Sequence, residues 1–284
     1  VKLMNFFSSD SSVGVAETFV AMGCIYFLIM MIGVFSVRTP PEGWHPQHFE
    51  TKVGNRRKLI THANVDADTA IKTPQFWFIF VVLMLNVTAG IGVLGQASVM
   101  IQEMFSIEVV GPEKAIGVAR AAGFVSLLSL FNMLGRFFWS SISDRIGRKN
   151  TYSIFFILGA ILYILVPQFG TLGSSLLFII TFCIIMSMYG GGFATVPAYL
   201  KDVFGVMHVG AIHGRLLVAW SLAAIIGPTL INYLRAYQIE SVGLPPAQAY
   251  SFTMYLMAGL LLLGLVSNLL VKPVDEKYHY ENQG

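Results

Sequence analysis

Seven long apolar runs constrain this chain more than any other feature of it. They cover approximately residues 14–36, 76–101, 116–141, 150–168, 173–198, 212–236 and 249–271. A helix crosses the hydrocarbon core of a bilayer with about 20 mostly apolar residues. Lipid offers the backbone no hydrogen-bond partners, so each run must be a helix or part of a closed barrel. Barrel strands alternate polar with apolar over about ten residues, and these runs do not. The fold class is therefore all-α, a polytopic membrane helical bundle. Turn and polar signals separate the runs: Thr39-Pro40-Pro41, Thr73-Pro74, Gly111-Pro112, Gly147-Arg148-Lys149-Asn150, Gly170 and Leu244-Pro245-Pro246.

Composition agrees. Hydrophobic residues make up 55% of the chain and charged residues 12%, against about 25% charged in soluble domains. Too little charge remains to cover a water-facing surface. Disorder is excluded by the same hydrophobicity. The net charge of +3 and the scatter of Lys and Arg in short clusters argue against nucleic acid as a partner. Cys24 and Cys183 both sit inside apolar runs and read as small hydrophobes.

Lys and Arg favour cytoplasmic loops. One set of loops holds 13 of the 18, from Arg38 to Lys277, and the opposite set holds Lys2, Lys114, Arg120 and Arg235. The expected orientation starts outside, crosses seven times and ends with a cytoplasmic C-terminus in the cell membrane. The first residue is Val, with no basic region before the first run, so we expect upstream sequence. A complete seven-helix receptor is the competing reading. The polar stretch 37–75, with its His residues and the basic trio Arg56-Arg57-Lys58, reads as a linker with one helix before it and six after it.

Within the runs, polar residues are costly, and Arg136 is the most costly of them. An Arg at mid-membrane costs about 2.5–3.5 kcal/mol on insertion scales. It lies eight residues before Asp144, about 12 Å along a helix. It either snorkels to the headgroups or faces a wet cavity. Ser126, Ser129, Asn132, Arg136 and Ser140 recur at three- and four-residue spacing, which puts them on one helical face and favours the cavity. A guanidinium there offers a fork that matches a carboxylate. No Asp or Glu lies inside the runs from 76 to 271 by these boundaries, and the one His, His213, stands at the very edge of the sixth run. Arg136 thus has no acidic neighbour in its run, and proton relay has no side chain to use. Asn86 and Gln96, the pair Tyr189 and Phe193 around Gly190-Gly191-Gly192, and Trp220 are weaker candidates, for which ordinary packing is the alternative. No nucleophile–base pair, phosphate loop or metal-ligand spacing appears within the runs. We expect no enzyme, no metal and no cofactor. The loop Ser143-Asp144-Arg145-Ile146-Gly147-Arg148-Lys149 is either a latch between helical halves or a solvated basic turn.

Asp144-Arg145-Ile146-Gly147-Arg148-Lys149 resembles the D-R-x-G-R-R/K loop of major facilitator superfamily transporters. Lys72-Thr73-Pro74-Gln75-Phe76-Trp77 with Leu85-Asn86-Val87-Thr88-Ala89-Gly90-Ile91-Gly92 resembles helix 7 of its oxalate/formate antiporter family. Gly135-Arg136-Phe137-Phe138 running into Ser143-Asp144 is similar to that family's helix 8. The resemblance covers essentially the whole chain as helices 6 to 12 of a twelve-helix fold. It implies that residues 1–36 hold the last helix of an N-terminal bundle, 37–75 a cytoplasmic inter-bundle linker, 76–271 a C-terminal six-helix bundle and 272–284 a cytoplasmic tail. The rest of the N-terminal bundle is then a partner outside this chain, beside the lipid bilayer. It also implies a central cavity with alternating access. Arg136 then matches the helix 8 arginine that binds substrate carboxylate, and Tyr189 and Phe193 match cavity aromatics of helix 10. Helix 11 departs: Trp220 stands where the oxalate-transporting branch has a lysine. Asn132 stands where monocarboxylate transporters of the superfamily have an Asp, so a proton-carrying Asp–Arg pair is absent.

The function these features lead us to expect is transport of a small organic anion, a monocarboxylate of the formate, lactate or pyruvate class, by an antiporter-like carrier. Arg136 would hold the carboxylate, Asn132 and Gln96 would donate to it, and Tyr189, Phe193 and Trp220 would wall the cavity. Asp144, Arg145, Gly147 and Arg148 would form the gating latch. The alternatives are exchange of oxalate or another dicarboxylate, and a ligand sensor on a transporter fold.

Overall fold

The computed structural model describes residues 2–8, 13–38, 59–61 and 63–280. The Thr39-Pro40-Pro41 signal, the basic trio Arg56-Arg57-Lys58, and His45, His48 and His62 of the linker lie outside the described residues. The chain forms two compact units, residues 1–55 and 56–284. The first contains α1 (Lys2–Phe7) and α2 (Val15–Ser36). No residue of α2 is buried, although it is long and apolar enough to cross a membrane.

The second unit contains α3 (Ala67–Ala70), α4 (Pro74–Met104), α5 (Ile107–Val110), α6 (Val118–Ile146) and α7 (Arg148–Thr171). It continues with α8 (Ser175–Phe204), α9 (Val209–Leu216), α10 (Val218–Glu240), α11 (Ser251–Leu270) and a closing 3₁₀ turn at Glu276–Tyr278. Every expected apolar run is a helix. The Thr73-Pro74 signal is helix-start chemistry: the Thr73 hydroxyl accepts the Phe76 N–H at 3.4 Å, and Pro occupies the first turn. The sixth run is divided, with α9 handing over to α10 at Leu217.

Small residues set the packing. A Cβ on Gly135 would lie 2.1 Å from the Ser187 carbonyl oxygen, and one on Gly190 would lie 2.0 Å from that of Asn132. α6 and α8 therefore touch backbone to backbone, the arrangement small residues permit in membranes. Gly92 and Gly227 bring α4 and α10 together in the same way. Buried tyrosines brace the helices further. The Tyr152 hydroxyl donates to the Gly192 carbonyl at 2.5 Å, and that of Tyr163 to the Ala89 carbonyl at 2.6 Å. The Tyr199 hydroxyl donates to Asn268 Oδ1 at 3.0 Å, while Asn268 Nδ2 donates to the Lys149 carbonyl at 2.8 Å.

One expectation needs correction. The helices outrun the apolar runs, and Glu103 falls inside α4 as Arg235 falls inside α10. The two form a bidentate ion pair. The Tyr250 hydroxyl donates to Glu103 Oε2 at 2.7 Å and accepts from Arg235 Nε at 2.9 Å. The sequence reading ended the second run at 101 and counted Arg235 with an outer loop, because hydropathy fades before the helical hydrogen bonds do. A partly buried pair tolerates that depth because each charge is neutralised where it sits.

At the opposite end, the residues leading into α4 are sewn to the corner between α8 and α9. Thr61 N–H donates to the Asp202 carbonyl and Val65 N–H to that of Phe204, both at 2.9 Å. Asn64 Oδ1 accepts the N–H groups of Val206 and Met207 at 3.1 and 3.0 Å. The Asn64 carbonyl accepts the N–H of Tyr280 at 2.8 Å. Gly205 holds this corner at φ 86°, and a Cβ there would lie 2.4 Å from the Ala63 carbonyl oxygen.

Candidate functional site

α6 shows two faces. Its buried side, including Leu128, Gly135 and Trp139, packs in the bundle. Ser126, Ser129 and Arg136 are exposed, and Asn132 and Ser140 are half-buried. The exposed apolar residues Leu130, Leu134 and Phe138 lie roughly 120–200° round the helix from Arg136 at about 100° per residue. Met133 and Phe137, also exposed, lie about 60° and 100° from Arg136, so the apolar arc borders the polar stripe on one side. Ser126 and Ser129 spend their hydroxyls on the carbonyls of Ala122 and Val125, one turn back.

The Arg136 guanidinium carbon lies 5.3 Å from the ring centre of Phe193 on α8, within cation–π range. Phe193 meets Trp220 of α10 edge-on at 4.8 Å, and Trp220 meets Tyr189 at 5.8 Å. The three helices reach this point at matching depth. Arg136 is ten residues from the end of α6, and Phe193 is eleven from the end of α8. Trp220 is eleven from the start of α9. Each distance is about 15–17 Å along its helix. The glycine contacts between α6 and α8 fix the register, since Asn132 and Gly190 touch one turn from Arg136 and Phe193. Among the described residues, no carboxylate lies within ion-pair distance of Arg136, and no hydrogen bond engages its guanidinium.

Arg136, Asn132, Tyr189, Phe193 and Trp220 are therefore brought together, and Gln96 is not. Its amide donates to Asn232 Oδ1, 22 residues from the start of α4. That is about 33 Å along the helix, twice the depth of Arg136. Gln96 belongs to the α4–α10 seam, between the Gly92–Gly227 contact and the Glu103–Arg235 pair. Asn86 is a different case. It is 6% exposed and its amide nitrogen has no partner. It lines a small cleft with Gly90, Tyr163 and Tyr189.

The loop residues assemble within the bundle. Gly147 turns the chain at φ 93°. Arg148 donates to Asp144 Oδ1 at 2.5 Å and to Ser143 Oγ at 2.9 Å, with Asp202 of α8 at 3.8 Å. Arg145 is exposed beside them. Among the described residues, the cluster around Arg136 brings together one cation, a neutral amide and three aromatic rings, groups that an anion could engage.

Comparison with known proteins adds a lineage. The profile of the Major Facilitator Superfamily matches residues 9–228 and, overlapping them, 114–284. The chain is 27% identical over 214 residues to the oxalate:formate antiporter of Oxalobacter formigenes, covering 75% of this chain and 46% of that protein. It is 23% identical over 214 residues to the uncharacterized MFS-type transporter YhjX of Escherichia coli K12, covering 75% and 48%. The chain spans about half the length of the curated relatives it matches.

Proposed function

The chain belongs to the major facilitator superfamily, and from that premise we propose that the full-length protein carries a small monocarboxylate across the cell membrane by alternating access. The observation that carries this reading is Arg136. It is a cation in a membrane-spanning helix, seated on Phe193 and without a carboxylate in reach among the described residues. Such a charge is tolerable in a wet cavity where an anionic ligand completes it. Arg136 holds the carboxylate and Asn132 donates beside it. Phe193, Trp220 and Tyr189 form the wall, with Gln96 and Asn232 further along the path. The remainder of an N-terminal bundle supplies the facing wall. The end carrying Gly147 faces the cytoplasm with the C-terminus, consistent with its Lys and Arg. There Asp144, Arg145, Gly147 and Arg148 brace a gate that opens as the bundles rock.

The test is uptake of labelled formate, lactate and pyruvate into proteoliposomes by the full-length protein. Arg136→Gln, inserted and folded as wild type, is expected to lose transport by about a hundredfold or more. Undiminished transport refutes the assignment. A second reading, oxalate or dicarboxylate exchange with another cation supplied from outside this chain, is favoured by the likeness to the oxalate:formate antiporter. Competition by oxalate stronger than by lactate selects it.

A further inference from the structure

Five tyrosines of the second unit are buried: Tyr152, Tyr163, Tyr189, Tyr199 and Tyr250. Four of them spend their hydroxyls within the protein, on the Gly192 and Ala89 carbonyls, Asn268 and Glu103. A buried phenol is normally partnered in this way. Tyr189 is the exception among the described residues, for no hydrogen bond engages its hydroxyl. The oxygen is not sealed off either, since it is absent from the buried polar atoms that lack partners. The ring itself is fixed. On one side a Cβ on Gly90 would lie 2.2 Å from Tyr189 Cδ2, and on the other Trp220 lies 5.8 Å away. Arg136 belongs to the same cluster, for it lies over Phe193, which meets Trp220 in turn.

Among the described residues the site therefore presents one cation and, held rigidly in the same aromatic cluster, one unspent neutral hydroxyl. A carboxylate that satisfies Arg136 leaves Tyr189 facing the next atom of the substrate. A second carboxylate there would meet no second cation in this cluster among the described residues. A neutral oxygen would be matched by the hydroxyl. We propose that Tyr189 is a specificity-determining residue that reads an oxygen on the carbon next to the carboxylate, so that the preferred substrates are short 2-oxo and 2-hydroxy monocarboxylates. This rests on the anion-transport reading and narrows it. Sites built to hydrogen-bond a substrate oxygen reject analogues that lack it, because the protein group is then left unpaired.

The experiment is counterflow of labelled pyruvate in proteoliposomes holding the full-length protein, with unlabelled pyruvate, lactate, propionate, formate and oxalate as competitors. Propionate has the length of pyruvate without its oxo group. Wild type is expected to prefer pyruvate and lactate to propionate by about tenfold, the worth of one good hydrogen bond. Tyr189→Phe is expected to bring the pyruvate-to-propionate ratio close to one. The ratio is an internal control, since a folding defect lowers both alike. The inference is overturned if wild type treats propionate and pyruvate equally, or if oxalate competes best. It is also overturned if Tyr189→Phe weakens both monocarboxylates by the same factor, which would make Tyr189 a ligand of the carboxylate itself. If no carboxylate competes, the transport reading fails, and this one with it.

Discussion

Replacing Gly135 by Ala tests whether the α6–α8 contact positions the site. The new Cβ would lie 2.1 Å from the Ser187 carbonyl oxygen and 2.6 Å from its carbonyl carbon and Cα. Good carbon contacts need about 3.5 Å, so the helices must part by about 1.4 Å. The obstructing atoms are backbone and cannot rotate away. Overpacking of this kind costs about 1–3 kcal/mol, and an immovable neighbour puts it at the upper end. Alanine returns about 1 kcal/mol of helix propensity, leaving a net loss of about 2 kcal/mol. For a unit of this size that lowers Tm by about 4–8 °C. The control is Gly123→Ala on the same helix, where no atom lies within 4 Å of the new Cβ. Only the propensity gain applies there, and Tm should hold or rise by a few degrees. Thermal unfolding of the purified full-length protein in detergent measures both variants. If Gly135→Ala is as stable as Gly123→Ala, the close approach of α6 and α8 is not what fixes Arg136 over Phe193.

Two further perturbations address charge. Glu103→Gln leaves Arg235 without its counter-charge, and their side chains are only 22% and 27% exposed. Discounted for that solvent access, the loss should be about 1–2 kcal/mol in thermal unfolding, with partial recovery in the Glu103→Arg, Arg235→Glu double variant. Additive losses would show that the pair contributes nothing. Asp66 caps α3 by accepting the Asp68 N–H at 2.9 Å, and that bond is the main cause holding its carboxyl below the ordinary range. A depressed carboxyl stabilises the fold above its unfolded pKa and stops doing so as pH falls through its folded one. Hydrogen exchange at residues 67–70, corrected for intrinsic rates, should therefore lose protection as pH falls below the ordinary Asp range of about 4. Asp66→Asn should flatten that dependence, and a flat wild-type profile would contradict the cap.

The parts legible in the sequence are those set by the bilayer. Seven apolar runs became helices because lipid leaves the backbone no alternative, and the three-and-four spacing from Ser126 to Ser140 located a polar face on α6. Depth across different helices was not legible. Gln96 and Arg136 looked equivalent as polar residues inside runs, and only the paired lengths of α4 and α6 separate them by about 18 Å. Glu103 and Arg235 were missed because hydropathy marks where lipid contact ends rather than where a helix ends. An acid just beyond the end of one run and a base in the last residues of another, on the same side, were the available signal. The free hydroxyl of Tyr189 has no signature in sequence at all. It emerges only once its four buried counterparts have found partners.

The seam at Asn64 makes the last described residues mechanically audible elsewhere. Tyr280 hangs from the Asn64 carbonyl, and the Asn64 side chain grips the backbone at Val206 and Met207. A tug on the polypeptide beyond Tyr280 is therefore transmitted across more than seventy sequence positions to the elbow at Gly205. A fluorescent reporter or affinity handle fused there would not be a silent passenger, and activity comparisons are cleaner with such handles placed elsewhere.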